Sequence, residues 1–238
     1  MIRFYGPDIR TTCSLPEGES SHCVRVLRKH EGDKIEVVDG RGGLYRCTIM
    51  EANHKGVLVK IDDEIVLAKN WAPNITVAVA PTKHSDRMEW LIEKLVEIGV
   101  DRFVPLRCER SERKELKPDR LERIAISAMK QSLKAVMPQI DATTPLALFL
   151  KEFESSNAQK FVGYCDDDTP RQLLAKSYRA NEDVVILIGP EGDFTPGEIM
   201  SCSAAGFVAV TMGDNRLRTE TAALVATDTI HILNQALS

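Results

Sequence analysis

Short alternating runs of apolar and polar residues occupy the first part of the chain. The runs 34–38 and 44–49 flank the turn-forming segment 39–43, Asp-Gly-Arg-Gly-Gly, and this arrangement predicts a β-hairpin. A further alternating strand is predicted at 56–61. Several short strands separated by turns are typical of a small barrel, so we predict a β-barrel domain over residues 1–70.

From residue 73 onward, apolar strands alternate with amphipathic helices. Strands are predicted at 75–80, 103–106, 161–165, 184–188 and 207–212. Helices are predicted at 21–28 in the first part, and at 88–98, 119–132, 170–178, from 196, and at 219–237 in the second. Alternation of this kind predicts an α/β domain over residues 73–238, built on a parallel, doubly wound sheet.

The composition is that of an ordinary globular protein, with 43% hydrophobic and 28% charged residues in 238. Lysine or arginine interrupts every early apolar run, so neither a signal peptide nor a membrane span is expected. The six cysteines are scattered without C-x-x-C spacing, and the histidines do not cluster. We therefore expect no metal site, and free thiols in a reducing cytoplasm.

Charge is distributed unevenly along the chain. The net charge of −4 argues against a nucleic-acid partner, yet residues 101–140 carry 10 basic and 6 acidic side chains. Residues 141–238 carry 7 and 14. A local cationic surface can bind phosphates whatever the total charge. A solvated helical surface with compensating charges explains the same counts equally well.

Two turns near the C-terminus are the candidates for chemistry. The first, 189–192, follows the apolar strand 184–188, and the second, 214–218, follows the strand 207–212. Each leads into a predicted helix. Because open α/β sheets bind ligands at the carboxyl ends of their strands, two such turns on successive strands predict a binding site.

The first turn has the sequence Gly-Pro-Glu-Gly. Gly189 and Gly192 allow backbone conformations closed to other residues and leave room beside the chain, while Pro190 stiffens the turn. Thr195 and Glu198 have the spacing of a helix capping box. A turn of this kind alone is more often a plain strand-to-helix connection.

The second turn places Arg216 and Arg218 just before a helix. Arginine keeps its charge, so a buried arginine needs a partner. Glu191 and Glu220 are possible structural partners. Alternatively, Arg218 faces a polar or anionic substrate. Thr219 can cap the helix in either case.

The segments 187–192, Leu-Ile-Gly-Pro-Glu-Gly, and 217–222, Leu-Arg-Thr-Glu-Thr-Ala, resemble the SPOUT (α/β-knot) RNA methyltransferases. Within that group the chain is similar to the RsmE family, which methylates a uridine of small-subunit ribosomal RNA. The similarity covers nearly the whole chain. Further matching positions are Val26, Leu27, Arg28, Gly32, Asp33, Lys83, Asp86, Arg87, residues 97–100, Arg110, Ser111, Gln131, Ser132 and Pro138. The chain departs from the family pattern at Asn215, Arg216, Leu133 and Lys134.

The resemblance implies a trefoil-knotted parallel sheet, an N-terminal PUA-like barrel, and a homodimer whose site draws on both subunits. It also implies bound S-adenosylmethionine in a bent form. The residues expected to contact this cofactor are Tyr164, Cys165, Gly189, Pro190, Glu191, Gly192, Met212, Gly213 and Leu217.

By the same resemblance, the reaction is methylation of the imide nitrogen at position three of a uridine in 16S ribosomal RNA, free or in the assembled small subunit. Arg218 is expected to stabilise charge on the uracil oxygens. Glu220 is either the proton acceptor or a helix cap. The cations expected to contact RNA are Arg25, Arg28, Lys29, Lys83, Arg87, Arg110, Arg113 and Lys134.

Two other functions are compatible with parts of the sequence. One is an RNA-binding protein with a catalytically inactive knot domain. The other is a nucleotide-phosphate enzyme that uses 189–192 as an anion-binding turn. This second alternative lacks a Walker lysine, and Glu191 would repel a phosphate.

Overall fold

The structure, a computed structural model, describes residues 2–165 and 171–236. The chain divides into two compact units. The first runs up to Asn70 and also includes Ile126–Met137; the second comprises Trp71–Ala125 and the chain from Pro138 onward. No helix in the described ranges is long and apolar enough to cross a membrane.

The first unit contains a four-stranded sheet in the order β1-β2-β3-β4. Its strands are β1 (Arg3–Tyr5), β2 (Lys34–Val38), β3 (Gly43–Glu51) and β4 (Leu58–Val66). The β2–β3 hairpin is antiparallel, as predicted from the turn at 39–43, and β1 adds to β2 in parallel. The predicted small N-terminal β structure is confirmed. Its apolar core is formed by Phe4, Ile9, Leu15, Cys23, Ile35, Val37, Cys47 and Ile49.

The helix predicted at 21–28 is wrong in its bounds. The structure has α1 (Ile9–Thr12), α2 (Glu17–Ser21) and a π-helical turn over His22–Val26 that continues α2. Pro16 precedes the first turn, where its missing N–H costs nothing. Arg28 has a left-handed φ of 52°, which the helix cannot continue through.

The second unit contains eight strands in parallel pairs, in the order β10-β12-β9-β11-β5-β6-β7, with β8 also pairing β6. The strands are β5 (Ile75–Val79), β6 (Arg102–Arg107), β7 (Gln139–Ile140), β8 (Thr144–Pro145), β9 (Gln159–Gly163), β10 (Gln172–Leu173), β11 (Val184–Ile188) and β12 (Val208–Thr211). The helices are α3 (Ser85–Ile98), α4 (Pro118–Gln131), α5 (Leu146–Glu152), α6 (Leu174–Ser177), α7 (Pro196–Ala204) and α8 (Thr219–Ala236), of which α4 belongs to this unit only up to Ala125. The predicted parallel α/β sheet is confirmed.

The helix predicted at 170–178 is largely wrong. Pro170, where it was to begin, lies outside the described residues, as does Leu237 at the end of the last predicted helix. Gln172 and Leu173 instead pair with Val210 and Thr211 of β12, so only four helical residues follow in α6. Pairing with the edge strand β12 therefore makes this segment extended, although its local sequence pattern predicts a helix.

The centre of this sheet is fully apolar. Every residue of β5 and β11 is buried, as expected for parallel strands covered on both faces. Ala78 and Leu187 pack with Phe149 and Cys202 in one apolar cluster. On the other side, α8 packs against β5, β11 and α3. The two candidate turns therefore emerge from rigid, buried strands.

Candidate functional site

Three neighbouring strands end together at one edge of the parallel sheet. In β9, Gly163 pairs in register with Ile188 of β11 on one side and with Val210 of β12 on the other. The segments that follow these strands, 164–165, 189–192 and 212–213, therefore leave the sheet side by side. The structure thus brings eight of the predicted cofactor residues to one edge, and Leu217 follows them just before α8.

In the first turn Gly189 is required for close packing, whereas the predicted need for a special backbone conformation is not met at either glycine. Neither Gly189 nor Gly192 has a left-handed φ. A β-carbon on Gly189 would lie 2.9 Å from the ring of Phe194, so it is close packing that excludes a side chain there. At Gly192 the nearest atom, Cβ of Arg110, would lie 3.4 Å away, an ordinary contact.

The capping box predicted after this turn is confirmed. The backbone N–H of Glu198 donates to the Thr195 hydroxyl at 3.3 Å, and Thr195 N–H donates to the Glu198 carboxylate at 2.9 Å. The other oxygen of Glu198 accepts the backbone N–H of Glu109 at 2.8 Å. The Glu198 carboxylate thus caps the N-terminus of α7 and also binds the backbone of the loop after β6.

The second turn contains the position where a left-handed backbone is needed. Gly213 has φ 136°, and no atom lies within 4 Å of where its β-carbon would be. The Thr211 hydroxyl donates to the Gly213 carbonyl at 2.6 Å. Open space beside a fixed backbone is what a ligand that binds by main-chain contact requires.

A glycine that sequence reasoning missed lies between the two turns. A β-carbon on Gly163 would meet Cδ1 of Ile188 at 2.9 Å and Cε of Met212 at 3.4 Å. The contact with Met212 would be an ordinary one, so it is the side chain of Ile188 that requires a glycine at position 163. The available signal was a glycine inside the apolar run 161–165.

Arg87 links Glu191 of the first turn to Glu220, which follows the second turn in α8. Its guanidinium donates to Glu191 at 3.0 Å and lies 3.8 Å from Glu220. The second oxygen of Glu191 accepts the backbone N–H of Lys83 at 3.1 Å. Glu191, predicted to contact the cofactor, therefore has both oxygens engaged by the protein, and the charge of Arg87, predicted to contact RNA, is matched internally.

Glu220 combines burial with an unused hydrogen-bond acceptor. The residue is 6% exposed, and its Oε2 atom accepts no hydrogen bond from any residue in the described ranges. An unsatisfied buried carboxylate oxygen is costly unless a ligand supplies a donor. Glu220 is therefore a buried carboxylate with hydrogen-bonding capacity left over.

Arg218 immediately precedes α8 and is exposed. Its carbonyl accepts the Ala222 N–H at 2.8 Å, which places it at the start of α8. Across the described part of the chain the Arg218 guanidinium makes no ion pair. Glu191 and Glu220, the two carboxylates that sequence proximity suggested as its partners, face Arg87 instead. Arg218 therefore keeps its charge available.

The remaining predicted RNA contacts fall into two groups. In the second unit, Arg110 donates to the Gly192 carbonyl at 3.2 Å and Arg113 donates to the Lys83 carbonyl at 3.0 Å. Both keep a positive charge unmatched by those neutral carbonyls, while the Lys83 ammonium lies 3.6 Å from Glu112. The others, in the first unit, are Arg25, Arg28, Lys29 and Lys134.

The cysteines divide by burial. All six are free thiols; Cys13 and Cys165 are exposed and the other four are buried. Burial, with a smaller contribution from the charge of Glu198, raises the pKa of Cys108 and of Cys202 to about 12. Within residues 2–165 and 171–236, no group of three histidine, cysteine or acidic side chains is placed to hold a metal ion.

Comparison with protein families gives two matches that follow one another along the chain. The model described as an RNA methyltransferase PUA domain matches residues 15–62. The model described as an RNA methyltransferase domain matches residues 69–231, which is most of the chain.

Individual relatives agree with these matches. The chain is 30% identical over 229 residues to ribosomal RNA small subunit methyltransferase E of Synechocystis, covering 94% of this chain and 74% of that protein. The crystal structure of a probable rRNA-methyltransferase from Porphyromonas gingivalis superposes with a TM-score of 0.93 at 45% identity over the whole of both chains. Ribosomal RNA small subunit methyltransferase E from Neisseria gonorrhoeae, solved with S-adenosylmethionine bound, gives 0.85 at 28% identity over 98% of both.

Proposed function

The chain belongs to the RNA methyltransferase family, and from that premise we propose that it methylates the imide nitrogen at position three of a uridine in 16S ribosomal RNA, using S-adenosylmethionine. The observation that carries the proposal is the match over 98% of the chain to a small-subunit methyltransferase solved with that cofactor. The convergence of three strand ends supports it, because this edge offers main-chain groups and open space in one place.

The residues proposed to hold the cofactor are Tyr164, Cys165, Gly189, Pro190, Glu191, Gly192, Met212, Gly213 and Leu217. When bound, S-adenosylmethionine supplies a methyl group that is already activated for transfer. Gly189 and Gly213 support this role, one by close packing against Phe194 and the other by the open space beside it. Glu191 acts through Arg87 and the Lys83 backbone, so its contribution is to hold the first turn in shape.

The protein must orient the uracil ring and accept the proton that leaves its imide nitrogen. We assign the acceptor role to Oε2 of Glu220, because it is buried, carboxylate and without a donor among the described residues. Arg218 stabilises the negative charge that develops on the uracil oxygens as the proton leaves. Arg87 keeps the other oxygen of Glu220 facing a positive charge.

The RNA partner is proposed to contact both units of the protein. Arg25 and Arg28 are exposed on the first unit, and Arg110 and Arg113 keep unmatched charge on the second.

Replacing Arg25 and Arg28 with alanine should weaken RNA binding and lower the slope of log K against log salt by about 0.7–0.9 for each phosphate that the protein no longer neutralises. Arg10→Ala, which removes an exposed cation paired with Glu64, is the control and should leave the slope unchanged. An unaltered slope in the double variant would exclude this surface from the RNA-binding site.

We further propose that the active form is a homodimer in the cytoplasm and that the substrate is the small-subunit RNA, free or assembled with its proteins. The family resemblance supports the dimer. Sedimentation equilibrium measures it directly, and a monomer at micromolar concentration would contradict it. Comparing methyl transfer to naked 16S RNA and to purified small subunits identifies the substrate.

Calorimetry and mass spectrometry test the function itself. We expect heat of binding with S-adenosylmethionine and none with ATP, and one methylated uridine missing from 16S RNA of a deletion strain. Binding without methyl transfer to either RNA substrate would instead support the alternative, an RNA-binding protein with an inactive domain. That alternative leaves the glycine packing and the unused Glu220 oxygen without a purpose.

A further inference from the structure

One peptide group at the end of β9 is held at both of its polar atoms by charged side chains. The carbonyl of Tyr164 accepts a hydrogen bond from Nη1 of Arg171 at 2.8 Å. The N–H of Cys165, on the other side of the same peptide bond, donates to Oδ2 of Asp193 at 3.0 Å. Hydrogen bonds to ionised groups are roughly twice as strong as neutral ones, so this peptide is fixed firmly.

The sheet itself cannot hold this peptide. Gly163 is the last β9 residue in register with both neighbours, and Gly189 N–H donates to its carbonyl at a long 3.3 Å. Beyond it β11 turns away into the Gly-Pro-Glu-Gly segment. The two side chains therefore take the place of a strand neighbour for the Tyr164–Cys165 peptide.

Asp193 adopts an unusual conformation to reach this position. Its φ is 60°, in the left-handed region that aspartate tolerates better than most residues. Its N–H donates to the Pro190 carbonyl at 2.9 Å, and its Oδ1 accepts the Phe194 N–H at 2.9 Å. Asp193 thus connects to the first turn through its backbone, and its carboxylate joins Phe194 to the end of β9.

We propose that Asp193 and Arg171 are positioning residues that orient the Tyr164–Cys165 peptide as a preformed wall of the methyl-donor site. They act through the peptide and do not touch the donor. The inference rests on the proposed function, because it takes the donor to bind at this edge. Because the peptide is already ordered, donor binding does not carry the entropic cost of ordering it. Loss of either residue should therefore weaken donor binding.

The test uses the full-length protein, four single variants and one double variant. Asp193→Gly keeps a left-handed backbone accessible while it removes the carboxylate, and Arg171→Met removes the guanidinium but keeps an unbranched chain. Arg171→Lys restores a charged donor. The matched control is Asp183→Gly, since Asp183 holds the backbone N–H of Asn74 at 2.7 Å at the opposite end of β11.

Two measurements are made on each protein: amide hydrogen exchange at Cys165 without cofactor, and the affinity for S-adenosylmethionine by calorimetry. We expect Asp193→Gly to speed exchange and to weaken binding on the order of tenfold, the effect of about one charge-assisted hydrogen bond. Arg171→Met should weaken binding similarly, and Arg171→Lys should recover most of the affinity. In a protein carrying both Asp193→Gly and Arg171→Met, the fold-loss in affinity should be smaller than the product of the two single fold-losses. The two effects are not independent, since both side chains act on one peptide.

The outcomes separate this inference from the proposed function. If the unaltered protein binds S-adenosylmethionine but Asp193→Gly and Arg171→Met bind it equally well, the positioning role is overturned and the function stands. The same holds if Asp183→Gly weakens binding as much as they do, because the effect is then general loss of stability. If the unaltered protein binds no S-adenosylmethionine, the proposed function fails, while faster exchange at Cys165 in Asp193→Gly would still show that Asp193 fixes the Tyr164–Cys165 peptide.

Discussion

The hydroxyl of Thr219 donates a hydrogen bond to the carbonyl of Gly189 at 3.2 Å, in a buried position. Thr219 is the first residue of α8, and Gly189 is the first residue after β11. This hydrogen bond joins the two turns of the site, although they come from different strands separated by β9. Together with Arg87, which faces both Glu191 and Glu220, this hydroxyl holds the two turns at their observed spacing.

Thr219→Val should loosen that connection. Valine has nearly the same shape but leaves the Gly189 carbonyl without its donor, so we expect a loss of about 1 kcal/mol in the free energy of unfolding. Affinity for S-adenosylmethionine should fall as well, because the turns are no longer held at one spacing. Chemical denaturation and calorimetry measure the two effects. Thr219→Ser keeps the hydroxyl and should behave as the unaltered protein; equal behaviour of both variants would show that the hydrogen bond is dispensable.

Gly189→Ala tests the packing of the first turn. The new methyl group would lie 2.9 Å from the Phe194 ring, so either the ring or the turn must move. We expect cofactor binding to weaken by at least about tenfold together with lower stability, since overpacking typically costs about 1–3 kcal/mol. Gly197→Ala is the control: Gly197 lies in α7, its nearest atom would be 4.0 Å away, and alanine favours helix. Normal cofactor binding by Gly189→Ala would contradict the assignment of this turn.

Arg218→Ala should separate chemistry from binding. Because Arg218 is exposed and makes no ion pair in the described part of the structure, its removal should leave stability and cofactor affinity nearly unchanged. We expect turnover on ribosomal substrate to fall by about 100-fold, the typical effect of losing one group that stabilises transition-state charge. The neighbouring Arg216→Ala serves as the control at an exposed position of the same turn. Unchanged turnover in Arg218→Ala would show that its charge has no part in the reaction.

Thiol labelling should distinguish the cysteines of this protein. Burial holds the pKa of Cys108 and Cys202 at about 12, so at pH 8 only about one thiol in ten thousand is ionised and reactive. The exposed Cys13 and Cys165 should react first. Addition of S-adenosylmethionine should protect Cys165 and leave Cys13 unaffected. Peptide mapping after labelling measures this, and equal protection of both would place the cofactor elsewhere.

The local elements of the site were predictable because they depend on short-range patterns. The hairpin around 39–43, the buried strands, and the Thr195–Glu198 capping box follow from periodicity and turn chemistry. Pairing between distant segments does not. The sequence offers no local sign that Gln172 and Leu173 join an edge strand, or that β9 lies between β11 and β12.

The same limit applies to charge. By proximity in sequence, Glu191 and Glu220 are candidate partners of the arginines in the second turn, whereas the structure pairs both with Arg87, which lies 104 positions before Glu191. Asp193 was missed because its left-handed backbone and its bond to Cys165 depend on how three strands end together. Its part in the site became apparent only from the fold.

The position of β9 between two strands that follow it in sequence also fixes the timing of assembly during translation. A nascent chain can form β9 and β11 early, but β12, the Gly213 turn and the Thr219 hydroxyl are added later. Until Thr219 has left the ribosome and begun α8, the Gly189 carbonyl has no donor from that helix and the proposed methyl-donor site lacks one side. With the site as proposed, we therefore expect a partly synthesised protein to bind no methyl donor, however well its first unit has folded.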